Sequence, residues 1–161
     1  MTIPYDVFTS AFLSKISEYD FITLPDQERQ DVVDGYMLRA LTAFRRICKY
    51  DFQKPVDEHG EIIDERYFVV DVPSGREAKA EFDIYEIVEI VAEGMVVQWL
   101  KPYVYQQENL QNVMNTRDYS LYSPAELLMR VGNAYAKAQK DYTQLVRDYS
   151  YNNGDLTVLH L

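Results

Sequence analysis

The stretch Ser123 to Tyr149, SPAELLMRVGNAYAKAQKDYTQLVRDY, constrains this chain's fold more than any other. Ser123 suits an N-cap and Pro124 suits the first helical position, where a missing N–H costs nothing. Glu126 stands three residues after the cap and closes a capping box. From Leu128 onward, Val131, Tyr135, Ala138, Tyr142, Leu145 and Tyr149 alternate three and four apart over three heptads. The spacing predicts one helix over 124–149, about 39 Å long at ~1.5 Å per residue. Its seam needs an apolar partner along the whole length, either another helix of this chain or a neighbouring subunit.

Two further helical periods supply candidates. Ile84, Ile87, Val88, Val91, Ala92, Met95, Val96, Trp99 and Leu100 cover an arc wider than a single seam, which marks 84–104 as the central core helix. Asp83 and Glu86 form its cap and N3 pair, and Pro102 is expected to kink or end it near Lys101. Val32, Val33, Tyr36, Met37, Ala40, Leu41, Phe44, Ile47 and Cys48 keep the same period through a helix over 25–50. Gly35 interrupts that pattern and suggests close backbone packing or a break. A shorter helix over 4–17, capped by Thr2, carries the stripe Phe8, Phe12 and Ile16. A polar helix is expected over 108–114.

Between Asp51 and Asp83 the helical period stops. His59-Gly60 and Pro73-Ser74-Gly75 are turn signals, and 66–72 with 76–82 predicts a β-hairpin inside an insert over 53–82. Asp57, Glu58, Glu61, Asp64 and Glu65 crowd this insert, which therefore projects into solvent or toward a cationic partner. At the other end, Asn152-Asn153-Gly154-Asp155 is a stop signal, since Asn and Gly tolerate positive φ. The residues after it, 156–161, are apolar and suit a strand or a docking tail. The expected fold class is mainly α: a helical bundle with one long C-terminal helix, a small β-hairpin insert and a short extended tail over 151–161.

The chain has 161 residues, most simply one domain. Its formal charge is −10, with 20 acidic and 10 basic side chains over 1–100 and six of each over 101–161. No basic run exists, which argues against a sequence-reading nucleic-acid binder. Tyr is abundant, 14 residues, and favours interfaces as well as cores. No apolar run approaches the length of a membrane span, and MTIPYDVF lacks the pattern of a signal peptide, so a soluble, non-secreted product is expected without membrane contact.

Catalytic signals are absent from the pattern. His59 and His160 have no ligand partner at helical spacing, and DEHGEIIDE lacks the alternating oxygen ligands of a calcium loop. SGRE and NNGD are turns without the Lys-Ser or Lys-Thr of a phosphate loop. Cys48 lies on the apolar face of its helix and is read as a core residue. The expectation is a non-enzyme without catalytic residues, cofactor or metal.

The block from 86 to the tail, EIVEIVAEGMVVQWLKPYVYQQENLQNVMNTRDYSLYSPAELL followed by DYSYNNGDL, resembles structural proteins of tailed bacteriophages, particularly those of Gram-positive hosts. YMLRALTAFRRICKYDF, residues 36–52, is similar to their N-terminal helix. The matching pieces are Met95-Val96-Val97, Trp99-Leu100-Lys101-Pro102, Asn109-Leu110, Thr116 to Tyr119, Tyr122-Ser123-Pro124 and Tyr149-Ser150-Tyr151. The resemblance is to head–tail connector or adaptor (head completion) subunits. Such subunits form a ring, commonly of twelve, beneath the portal protein, extend the DNA channel and support tail attachment without catalysing a reaction. DNA passes through the ring without sequence-specific binding.

By that resemblance the chain belongs at the head–tail junction of a virion, made in the host cytoplasm. Its partners are further copies of itself, the portal and the next neck or tail protein. Ring contacts fall on Tyr135, Tyr142 and Tyr149 or on the opposite helix face. Inter-ring contacts fall on the 151–161 tail, through Tyr151, Leu156, Val158, Leu159 and Leu161. The acidic bias suits a channel wall that repels DNA. The 53–82 insert is longer than in the compact version of that family. Other readings are a stopper, tail terminator or capsid-associated protein, the choice if the fold is a β-barrel, and a non-viral helical interaction module.

Overall fold

The computed structural model describes residues 1–17, 29–105 and 124–154. In chain order it contains β1 (Thr2–Pro4), α1 (Tyr5–Ile16), α2 (Arg29–Phe44), β2 (Phe52–Gln53), β3 (Tyr67–Val70), α3 (Glu77–Tyr105) and α4 (Pro124–Asn153). The fold is mainly helical, with a small antiparallel sheet inserted between helices.

α3 is the axis of the bundle. Ala80, Ile84, Ile87, Ile90, Val91, Met95, Trp99 and Leu100 are buried around most of its circumference, which only a helix packed on several sides achieves. α1, α2 and α4 all pack on it. α1 contributes Phe8 and Phe12, both fully buried, and α2 contributes Val33, Tyr36, Met37, Ala40, Leu41 and Phe44 at helical spacing. The predicted stripe on α1 and the predicted apolar face of α2 are therefore the faces that meet the core.

The sheet departs from the expected hairpin. β3 is its central strand, pairing antiparallel with β1 on one edge, Ile3 opposite Phe68, and with β2 on the other, Phe52 opposite Val70. Alternation puts Phe68 and Val70 on the buried face. There Phe8, Phe52 and Phe68 pack edge to face, with ring centroids 5.7–6.0 Å apart. Thr2 is thus a strand residue and no helix cap; α1 begins at Tyr5, after Pro4 in extended geometry without a side-chain cap.

The segment 77–82 is helix, the first turns of α3, and not the second arm of a hairpin. Glu77, Ala78, Lys79, Ala80 and Glu81 are good helix formers, and Ala80, Ile84 and Ile87 fall on one buried face. The Pro73-Ser74-Gly75 turn does form, with Gly75 at φ +82°, and it feeds this helix. Backbone N–H groups of Gly75 and Glu77 hold the Glu77 carboxyl below its ordinary value, the interaction expected of an acid at a helix start. Asp83 consequently lies inside the helix and caps nothing. α3 also runs through Pro102 to Tyr105, so the proline neither ends it near Lys101 nor shortens it.

α2 ends at Phe44, six residues before the expected end at 50, and 25–28 lie outside the described residues. The chain tightens there: the Ile47 N–H donates to the Phe44 carbonyl at 3.1 Å, and the Lys49 N–H donates to the Tyr149 hydroxyl at 2.9 Å. That second bond satisfies a backbone donor from a distant helix, which no local pattern announces. The expected helix over 108–114 and the Ser123 cap lie outside the described residues.

α4 runs antiparallel to α3. The Tyr105 and Tyr135 rings lie 6.4 Å apart, Tyr142 rests on Gly94, and Glu86 is near enough to Tyr149 to influence its ionisation. The partner of the heptad seam is therefore α3 of the same chain. Leu127, Val131, Tyr135, Ala138 and Tyr149 are buried, with the seam starting at Leu127 and not at Leu128. Helix continues to Asn153, whose side-chain amide donates to the Tyr149 carbonyl at 3.1 Å, so Tyr151 is helical and does not begin an extended tail.

Candidate interaction surface

The structure separates the tyrosines that the sequence grouped together. Tyr149 is 1% exposed. Its ring meets Phe44 edge to face at 4.9 Å, its hydroxyl holds the Lys49 backbone, and burial pushes its ionisation up to about 12. Tyr135 is also buried, and its hydroxyl accepts from Gln139 Nε2 at 2.9 Å. Tyr142 is half-buried, with its ring over Gly94. Tyr149 is committed to packing within the subunit, whereas Tyr135 and Tyr142 pack on α3 and also line an open groove beside it. Tyr151, on the other side of the same helix, is 74% exposed. Leu156, Val158, Leu159 and Leu161 lie outside the described residues.

The start of α3 and the end of α4 meet at one end of the bundle, where Lys49 and Tyr50 of the α2–β2 connection both bond Asp83. Phe82 and Tyr85 near the start of α3 are 76% and 59% exposed, and Tyr151 in the last turn of α4 is 74% exposed. Phe82 and Tyr85 are one helical turn apart, so they share an outward face. The sequence reading overlooked Phe82 and Tyr85 as a pair, since 76–82 was assigned to a strand; in helical register their spacing was the available signal.

A second surface lies between α3 and α4, an open groove of about 790 Å³. Val97, Tyr135 and Tyr142 form its apolar part, and Lys101, Lys140 and Arg147 bring three cations. Among the described residues no carboxylate lines it, in a chain whose formal charge is −10. Lys140 and Arg147 are one heptad apart, which sets them on one face of α4.

The insert forms a third surface. Asp57 Oδ1 accepts from the backbone N–H groups of His59 and Glu61 at 2.8 and 2.9 Å, and Gly60 at φ +80° completes the turn. Val56 and Ile62 pair across its base through an isolated β-bridge and are 56% and 68% exposed. Glu58, Glu61, Asp64 and Glu65 surround them, all exposed. The expected projecting acidic insert is therefore an ordered knob with an aliphatic pair at its base.

The remaining polar clusters are structural. Arg66 forks onto Asp34 through two bonds of 2.8 Å and reaches Asp6 at 2.7 Å, tying β3 to α2 and α1. Burial alone would raise the Asp83 carboxyl, yet the bonds from Tyr50 and Lys49 leave it below its ordinary value. Burial pushes the half-buried Cys48 thiol up, away from the thiolate form that reactive cysteines need. Among the described residues no group of three or more His, Cys, Asp and Glu could hold a metal ion, and no helix is long and apolar enough to cross a membrane. Neither a protein-family model, nor a curated protein, nor a solved structure matches the chain.

Proposed function

We propose that this chain is a structural virion subunit, a ring-forming head-to-tail adaptor that docks under a portal protein, extends the DNA channel and supports tail attachment. The family resemblance of 36–52, 86–128 and 148–156 motivates the reading. The observation that carries it is the aromatic end of the bundle. The subunit closes its own core, yet Phe82, Tyr85 and Tyr151 remain in solvent where α3 and α4 meet. Neighbouring exposed aromatic side chains such as Phe82 and Tyr85 suit a partner surface. The expected partners are copies of the chain, the portal and the next neck or tail protein, with DNA passing without sequence-specific contact. Its place is the head–tail junction, after synthesis in the host cytoplasm. The function is recognition by shape, with no reaction assigned to it.

Among virion parts, a stopper or tail terminator was tied to a β-barrel; the three-stranded sheet on a helical bundle gives that alternative no support. The decisive measurement is oligomeric mass by native mass spectrometry, with particle imaging for symmetry, on the full chain alone and with its portal. A closed ring in either condition supports the adaptor role. A stable monomer in both overturns it.

A further inference from the structure

Against the apolar surface of α2 around Leu38 and Ala43, which holds two cations, Arg39 and Arg46, the groove between α3 and α4 holds three. Lys101, Lys140 and Arg147 line it without a carboxylate among them, and among the described residues none of the three enters an ion pair. Lys15, Arg45, Lys49 and Arg66, by contrast, each meet an Asp or Glu of this chain within 3.5 Å, whereas Arg39, Arg46, Lys54, Arg76 and Lys79 resemble the groove cations in forming no ion pair among the described residues. Three uncompensated cations around an apolar floor of Val97, Tyr135 and Tyr142 describe a receptor for something both acidic and aliphatic.

The knob at 56–65 has that composition. It presents Val56 and Ile62 at more than half exposure, with Glu58, Glu61, Asp64 and Glu65 around them, on a turn fixed by Asp57 and Gly60. Groove and knob share no residue and lie on different elements, the groove on α3 and α4, the knob beside β2 and β3. An interface made from two different patches of one chain is head to tail, and such contacts generate rings or filaments. Apolar contact at the centre with opposite charges at the rim matches the usual anatomy of an interface, and the charges fix register and speed encounter.

We propose that the cationic groove of each subunit receives the acidic 56–65 knob of the next copy. This rests on and deepens the adaptor reading by naming the lateral contact, which keeps Tyr135 and Tyr142 as its floor and leaves Tyr149 in the core. Nucleic acid is the competing occupant of a cationic groove.

The test is a charge swap in the full chain. K101E/K140E/R147E reverses the groove and E58K/E61K/D64K/E65K reverses the knob. Each variant alone is expected to assemble more than about tenfold more weakly than the natural chain, since like charges then face each other. An equimolar mixture is expected to restore assembly, because each altered surface then meets its complement. Assembly of the natural chain weakens as salt rises. Circular dichroism checks the fold of each variant, and the milder pair K140E and E61K, combined in the same way, serves if a multiple variant unfolds. Undiminished assembly of both reversed chains overturns the knob-and-groove contact while leaving the adaptor role standing. Loss of duplex-DNA binding in the groove variant with assembly intact overturns it in favour of a polyanion site. A chain that stays monomeric alone and with its portal overturns both.

Discussion

Tyr142 lies directly against Gly94: its Cε2 is 2.9 Å from where a Cβ at position 94 would stand, and the Ala40 Cβ is 3.1 Å from the same point. Three helices approach each other there, and the missing side chain permits it.

Gly94→Ala is expected to destabilise the fold by about 1–3 kcal/mol, since overpacking outweighs the roughly 1 kcal/mol that Ala gains in helix propensity. Gly35 gives the opposite sign. A Cβ there meets nothing within 4 Å, so Gly35→Ala is expected to stabilise α2 by up to about 1 kcal/mol. Urea midpoints of the two variants test the pair, and midpoints that move together would contradict the assigned packing.

Tyr149→Phe removes only the hydroxyl that accepts from the Lys49 N–H. The expected loss is about 1 kcal/mol, the net worth of one such bond, whereas Tyr149→Ala should cost about 3–5 kcal/mol by emptying a buried ring site. Amide exchange at Lys49 should accelerate in the Phe variant; unchanged protection there would show that the bond does not hold the turn.

Stability should fall between pH 10 and 12. Burial raises Tyr36, Tyr50 and Tyr149 from 10.0 to about 12, and the bond to the Asp83 carboxylate adds to the effect at Tyr50. The unfolded chain releases these protons first, so it binds fewer protons than the folded chain in that window and stability declines with pH. The contribution is complete below pH 10 and gone once pH passes about 12. Phenolate absorbance followed against far-UV dichroism should show a fraction of tyrosines that ionises with unfolding.

Phe82→Ser, Tyr85→Ser and Tyr151→Ser together should leave the melting temperature within a few degrees of the natural chain, because exposed positions change stability by only about 0.5 kcal/mol each. Under the proposed adaptor role, binding to the portal ring should drop sharply in a pull-down with the purified portal. Retained binding would remove this end of the bundle from the partner surface.

The four helices of the described residues were legible because each carries a period that local spacing reveals. Phe8 and Phe12, the wide arc of 84–100 and the heptads ending at Tyr149 all face the core as the spacing requires. Gly94 shows where legibility stopped. The sequence drew notice to Gly35, an equally plausible interruption, and only the approach of Tyr142 and Ala40 distinguishes the two glycines. The candidate surfaces were less legible still. The acidic insert was visible as a charge run, but the cations facing the groove are spread over 101–147 and meet only after α3 and α4 align.

By itself, then, the sequence determined a mainly helical chain with a long C-terminal helix and a non-helical interruption before the central one, because helix formation and amphipathic faces depend on neighbours three and four residues apart. Tertiary structure alone decided that Thr2–Pro4 and Phe52–Gln53 flank Tyr67–Val70 as strands, that 77–82 joins α3, and that the heptad seam closes on α3 within one subunit. Those outcomes rest on contacts between segments far apart in the chain. Their energy appears in no local period, and the two strands at the sheet edges are too short to carry one.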